Sequence, residues 1–183
     1  MATILLFLRL SIAIRSTAAS DANGNSTSRL DEVCKQTFDA DLCIKALSIY
    51  PESQTFDFHG LAGLAVRAAA SAAANISSYI SGLLEEGSVE DDEDFQQCLY
   101  DCEENFVDAF DQLDELTVVI DNKEYEDVNL WVTVAETDRR MCDEGCKNAS
   151  SEKKVKLVAR SEEFSRLCGI VLNMTSFLAT NHL

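Results

Sequence analysis

Four of the seven cysteines form two pairs of identical spacing, Cys98 with Cys102 in CLYDC and Cys142 with Cys146 in CDEGC. Two thiols four residues apart lie on one side of a helix, so each pair presents two sulfurs to a neighbouring element. Three chemistries use such a pattern: a pair of disulfides, a four-thiolate zinc site, or a twin CxxxC helical hairpin of the mitochondrial intermembrane space type. On two antiparallel helices, four residues forward on one match four back on the other, about 6 Å along each axis. Cys102 can then face Cys142 while Cys98 faces Cys146, as two rungs of one ladder. Cys34 and Cys43 can close a small loop of their own. Cys168 is left over at a core position, where a small buried thiol is commoner than a reactive one.

Catalysis finds little material. The only histidines are His59, near a helix start in DFHGLA, and His182, next to the last residue. Neither stands with a nucleophile and an orienting group. Carboxylates are plentiful, but a helical face crowded with them is first of all a solvated surface. The chain therefore reads as a non-enzyme, with no catalytic residue, no metal and no cofactor.

The 32 acidic residues against 15 basic ones give a formal net charge of −17, and removing Arg9 and Arg15 with the first nineteen residues would take it to −19. Nucleic acid and anionic membrane surfaces would repel such a molecule. A basic protein would be drawn to it over roughly a Debye length of about 10 Å.

The opening MATILLFLRLSIAIRSTAAS holds an apolar run from Ile4 to Ile14, then the small residues Thr17, Ala18 and Ala19, the arrangement of a cleavable secretory leader over residues 1–19. The run is shorter than the roughly 20 residues that span a membrane as a helix, and no other segment reaches that length, so the mature chain reads as soluble and exported. Export favours oxidised cysteine pairs over zinc. Four sequons fit the same compartment: Asn25 and Asn148 in loops, Asn75 and Asn173 in helical stretches.

These groups need a scaffold, and its elements follow from hydrophobic period. Leu99, Cys102, Phe106, Ala109, Leu113, Leu116 and Ile120 recur at three- and four-residue steps, as do Tyr125, Val128, Val132, Ala135, Arg139, Cys142 and Cys146. Arg139 is the misfit. Leu157, Ser161, Phe164, Cys168, Val171, Thr175 and Leu178 form another stripe, widened by Leu167, Ile170, Met174 and Phe177, with Asn173 turned to solvent. Ala62, Ala65, Ala69, Ala72, Ile76, Tyr79 and Leu83 mark an earlier helix whose small residues permit close neighbours. Breaks fall at Gly87, at Asp121 with Asn122, and from 148 to 151. Links this short favour antiparallel neighbours, hence an all-α, up-down-up-down four-helix bundle. Before it, LDEVCKQTFDADLCIKAL suits a short helical hairpin that Pro51 ends. Residues 20–29 read as a flexible lead-in, and 30–183 as one domain.

The sequence resembles the plant invertase and pectin methylesterase inhibitor family over roughly residues 30 to 180, on CKQTFDADLCIKAL, YDCEENFVDAFDQL and KEYEDVNLWVTVAETDRRMCDEG. Phe56 to Leu84 is similar to the pollen-allergen-like branch. The resemblance implies an extracellular four-helix bundle with an N-terminal hairpin, stapled by Cys34–Cys43 and Cys102–Cys142. It also implies a protein that blocks the cleft of a cell-wall carbohydrate enzyme, one to one, in the apoplast. Invertase inhibitors of the family use a Pro-Lys-Phe element before the third long helix. Asn122, Lys123, Glu124 and Tyr125 stand here, so the lysine and an aromatic remain and the proline does not. Pectin methylesterase inhibitors lay bundle helices across the pectin-binding cleft, a mode open to the acidic face of Asp101, Glu104, Asp108 and Asp111. The resemblance thus points slightly more to pectin methylesterase than to acid invertase. The alternative is a secreted bundle of the same fold without inhibitory activity, in a structural or storage role. Cys98 and Cys146 depart from the family pattern together, which supports their pairing.

Overall fold

The structure, a computed structural model, describes residues 28–86, 92–149 and 151–181. The leader, Asn25, Gly87 and His182 lie outside the described residues. Most helix starts are written as short polar side chains that accept the first free backbone N–H groups. Ser28 opens α1 (Arg29–Cys34) with a reciprocal capping box: its Oγ accepts from the Asp31 N–H, and the Asp31 carboxylate accepts from the Ser28 N–H, both at 3.1 Å. Asp39 caps α2 (Ala40–Leu47), Asp57 caps α3 (Phe58–Glu85) and Asp92 caps α4 (Glu93–Asp121). α5 (Tyr125–Gly145) and α6 (Glu152–Asn181) complete the chain. Pro51 does not end the hairpin as the sequence suggests. α2 stops at Leu47, and Pro51 instead starts a 3-10 turn, Pro51–Gln54, where its missing N–H costs nothing.

Pairs of facing residues fix the topology. Phe58 stacks on Phe177 at 4.8 Å while Arg160 lies over the Tyr79 ring at 4.6 Å, so α3 and α6 run antiparallel. Asn129 and Glu136 on α5 meet Thr175 and Ser165 on α6 in the same opposed order. The four long helices form an up-down-up-down bundle in which α3 and α5 each pack on both α4 and α6. Its centre is apolar and aromatic, with Phe106 and Phe164 meeting edge to face at 5.5 Å.

Every member of the α4 stripe is buried, from Leu99 to Ile120. On α3 the buried row is instead Ala62, Ala65, Ala69, Ala73, Ile76, Ile80 and Leu83, with Ala72 and Tyr79 only partly covered. The α1–α2 hairpin also packs on α3, so that helix is buried on more than one side and its alanines let three elements approach.

Three covalent bonds fasten these parts: Cys34–Cys43 within the hairpin, and Cys98–Cys146 and Cys102–Cys142 between α4 and α5. Arg139, the polar residue on the core stripe of α5, is held on its own helix by Glu136 and Asp143. Those carboxylates also accept from Ser165 and Ser161 on α6, each at 2.9 Å. A charged side chain on the apolar face is thereby paired, and α5 is tied to α6.

The hairpin is seated on α6 at one notch. A Cβ on Gly169 would lie 2.5 Å from the Phe38 ring, so only glycine allows that contact. Alongside, Asn173 Oδ1 accepts from the Phe38 N–H at 3.1 Å, and Arg166 pairs with Asp39 at 3.1 Å.

The two α4–α5 bridges should be non-additive. Replacing Cys98 and Cys146 by alanine leaves the other bridge to close the long loop and should cost at most about 3 kcal/mol, the value for a short ring. Removing Cys102–Cys142 as well should cost about 4 kcal/mol more, as expected for a loop of some 40 residues. Urea unfolding of the two variants checks this; equal costs for the first and second removal would contradict it.

Candidate functional site

Four helix ends meet at the pole opposite the α4–α5 bridges: the start of α3, the end of α4, the start of α5 and the end of α6. The chain turns there through Asn122, Lys123 and Glu124. Lys123 has φ +62°, the left-handed region that L-residues enter at a cost of roughly 1–2 kcal/mol. Its N–H donates to the Ile120 carbonyl at 2.9 Å and the Glu124 N–H to the Val119 carbonyl at 3.3 Å, which together close the end of α4. Glycine or asparagine is the usual occupant of such a position. A lysine instead places an exposed cation beside a cleft of about 500 Å³ lined also by Glu124, Tyr125, Glu126, Asp127, Leu178 and Ala179.

Tyr125 begins the buried stripe of α5 and is only 6% exposed. Its hydroxyl lies 2.9 Å from His59 Nδ1 in the first turn of α3, with the two rings edge to face. His59 packs at the helix start, and Asp57 is the cap. A second cleft, of about 440 Å³, opens beside it between α3 and α4, lined by Phe56, Asp57, His59, Arg67, Thr117 and Asp121 among others. Burial, and then the nearby Asp57 carboxylate, raise the Tyr125 phenol above its ordinary 10.0.

The acidic stretch of α4 divides. Glu104, Asp108 and Asp111 are exposed and point away from the bundle. Asp101 is half-buried, accepts from Gln97 Nε2 at 2.8 Å, and lies so close to Gly145 that a Cβ there would meet its Oδ2 at 3.2 Å. It belongs to the α4–α5 seam more than to the open face. Farther along the seam Gln112 Nε2 donates to Asp138 Oδ2 at 3.0 Å. Burial raises the Asp138 pKa, the Gln112 hydrogen bond opposes that, and Asp108 adds to it.

Apolar residues stand among these acids and were not evident from the stripes. Val107 and Val118 on α4 and Leu130, Trp131 and Met141 on α5 are all exposed, Trp131 at 45%. The register set by the bridges brings Trp131 level with Leu113, between Asp111 and Asp114. The sequence carries one signal for it: the single tryptophan sits between Val128 and Val132 without joining their row.

Asn75 and Asn148 are exposed, the latter in the turn after α5. Asn173 is exposed too, but its carboxamide oxygen is engaged by Phe38. Cys168 is buried. Burial pushes its thiol well up, Glu136 adds to this, and Arg139 opposes it, so the thiol stays neutral.

A family model described as plant invertase/pectin methylesterase inhibitor matches residues 28–174. A pectinesterase inhibitor from Actinidia deliciosa is 26% identical over 152 residues, covering 81% of this chain and 78% of its own. A Platanus acerifolia protein, named provisionally as an invertase inhibitor, is 26% identical over 141 residues, covering 75% of each chain. Among solved structures, a pectin methylesterase inhibitor from Arabidopsis thaliana superposes with a TM-score of 0.62 at 19% identity, over 84% of this chain and 98% of that one. A mutant form of an Arabidopsis pectin methylesterase inhibitor gives 0.66, also at 19%, over 81% and 96%. At that identity the likeness establishes the fold.

The Tyr125 shift has a definite sign. The folded chain holds the phenol proton more tightly than the unfolded one, so this contribution to stability is fully present below pH 10 and is lost as pH rises through the raised folded value. Alkaline titration followed by phenolate absorbance should show a late-ionising component that is absent from Tyr125→Phe. That variant should also lose about 1 kcal/mol with the His59 hydrogen bond.

Proposed function

We infer the role from the family: the chain belongs to the plant invertase/pectin methylesterase inhibitor family, whose members are inhibitor proteins and not enzymes. The chain acts by covering the active-site cleft of a cell-wall carbohydrate enzyme, with pectin methylesterase the first target and acid invertase the second. The observation that carries this reading is the match over residues 28–174, which takes in the hairpin, both α4–α5 cysteine pairs and the whole acidic face. The Actinidia deliciosa relative and the Arabidopsis structures bear names of the pectin methylesterase branch. Asn122 precedes Lys123 where the invertase-directed element has proline, which weighs in the same direction. For invertase speak the Platanus relative and the exposed Lys123 at the mouth of a cleft.

The surface chemistry suits a partner with a basic cleft. A site that binds polyanionic pectin gains from positive charge, and such a site would attract Glu104, Asp108 and Asp111 by long-range steering. Trp131 with Leu130 and Val107 supplies apolar area beside that charge, the combination found at the centre of protein interfaces. Lys123 and Tyr125 contribute at the pole, Lys123 directly and Tyr125 by fixing the start of α5. The complex is one to one.

The compartment follows from the same reading. Residues 1–19 act as a secretory leader, the inhibitor-type domain includes Ser28 and Arg29, which form the cap and first turn of α1, and the mature protein resides in the apoplast with Asn148 as the foremost glycosylation site of the described residues. No described helix is long and apolar enough to cross a membrane.

Purified protein mixed with pectin methylesterase and with acid invertase at mildly acid pH should suppress the esterase at near-stoichiometric ratio. Unchanged activity of both, over several isoforms, would leave the non-inhibitory bundle as the better reading. Replacing Glu104, Asp108 and Asp111 by their amides should weaken the complex about tenfold and flatten its salt dependence. Trp131→Ala should cost at least as much, with little salt dependence. Equal affinity in all variants would remove this face from the interface.

A further inference from the structure

Gly169, Asn173 and Phe177 stand one turn apart on a single row of α6, and Phe38 of the hairpin lies against the first two. The Phe38 ring rests on Gly169, its N–H donates to Asn173 Oδ1 at 3.1 Å, and Phe177 stacks on Phe58 at the next turn. A backbone N–H can only donate, so the carboxamide turns its oxygen inward and its nitrogen outward. Asn173 is exposed, and among the described residues no group bonds to its Nδ2. On either side of that nitrogen a large apolar ring is left in water, Phe38 at 61% exposed and Phe177 at 37%. The triplet Asn173, Met174, Thr175 is an acceptor for N-linked sugar. The ion pairs on the same joint, Arg166 with Asp39 and Lys45 with Glu163, are open to solvent and hold it only weakly.

We propose that Asn173 carries an N-linked glycan whose first N-acetylglucosamine packs over the Phe38 and Phe177 rings and closes the joint between the hairpin and α6. This adds a structural sugar to the site already given to Asn148, and it rests on the reading of the chain as exported. Transfer takes place on the extended chain before folding. Thr175, which is buried afterwards with its hydroxyl donating to the Val171 carbonyl at 2.8 Å, is therefore still open to the transferase at that stage. Nδ2 bonds to C1 of the first sugar of a lipid pyrophosphate-linked oligosaccharide; the bond from C1 to the phosphate oxygen breaks, the lipid pyrophosphate leaves, and one Nδ2 proton passes to solvent. Folding then brings the hairpin against α6. The carboxamide oxygen keeps the Phe38 N–H, and the apolar face of the pyranose covers phenyl surface that otherwise meets water. α6 lies across the bundle from α4, so the sugar stands away from Glu104, Asp108 and Asp111.

The test secretes the chain from residue 20 onward out of yeast behind a heterologous leader, so that delivery does not depend on residues 1–19. Trimming with endoglycosidase H leaves one N-acetylglucosamine on each occupied asparagine, and peptide mass spectrometry should find it on Asn173. Backbone hydrogen exchange over residues 38–42 should be about tenfold slower in this form than in the same chain made with lipid-linked oligosaccharide synthesis inhibited. Phe38→Ala and Phe177→Ala should each keep the sugar and lose most of that difference. A bare Asn173 in the exported chain would overturn the proposal, as would equal exchange with and without the sugar, or a difference that survives loss of both rings. Retention in the cell of the chain that bears its own residues 1–19 would instead overturn the export reading, and the natural occurrence of the glycan with it.

Discussion

Everything else in this molecule depends on the register of α4 against α5. Two sulfur bridges at i, i+4 spacing on opposed helices permit one axial offset and one relative rotation, because a slip of one residue would turn both sulfurs of a helix away from their partners. Once that offset is set, the row from Leu99 to Ile120 and the row from Tyr125 to Cys142 must face the same interior. α3 and α6 then close the remaining sides. The turn at the other pole inherits the constraint. α4 and α5 must be joined within three residues, and the chain accepts a left-handed lysine to do so.

Much of this scaffold was legible in the amino-acid order, for a physical reason. A helix with two flanking partners buries one stripe, and the hydrophobic stripes of α4, α5 and α6 coincide almost residue for residue with their buried rows. On α3 the two diverge: the buried row shifts to Ala73 and Ile80, since three elements cover it and no single stripe describes a rod enclosed on several sides. Phe177 stands at the edge of its stripe, 37% exposed, and is held by stacking on Phe58. Pro51 reads in the sequence as a terminator, yet it opens a turn, because proline is equally at home in a first helical position.

The candidate surface was legible in composition and not in orientation. Acidic residues spaced along α4 show that a face is charged, but the partner helix decides which carboxylates stay free, and Gly145 draws Asp101 into the seam. The His59–Tyr125 contact joins residues 66 apart, and no local pattern announces it. Arg139 looked like an error on an apolar row. Its explanation lies in two carboxylates one turn either side and two serines on α6, a polar clamp that only the folded arrangement assembles.

The turn that carries Asn148 follows directly on Cys146, at the sulfur-bearing end of the rods, whereas Lys123 stands at the far end. From Cys98, the partner of Cys146, to the end of α4 at Asp121 is some 23 residues, about 35 Å of helix. A bulky sugar tree rooted at Asn148 would thus grow from the handle and leave the tip bare. Such a molecule could be cloaked, tethered or decorated at one extremity without being blunted at the other.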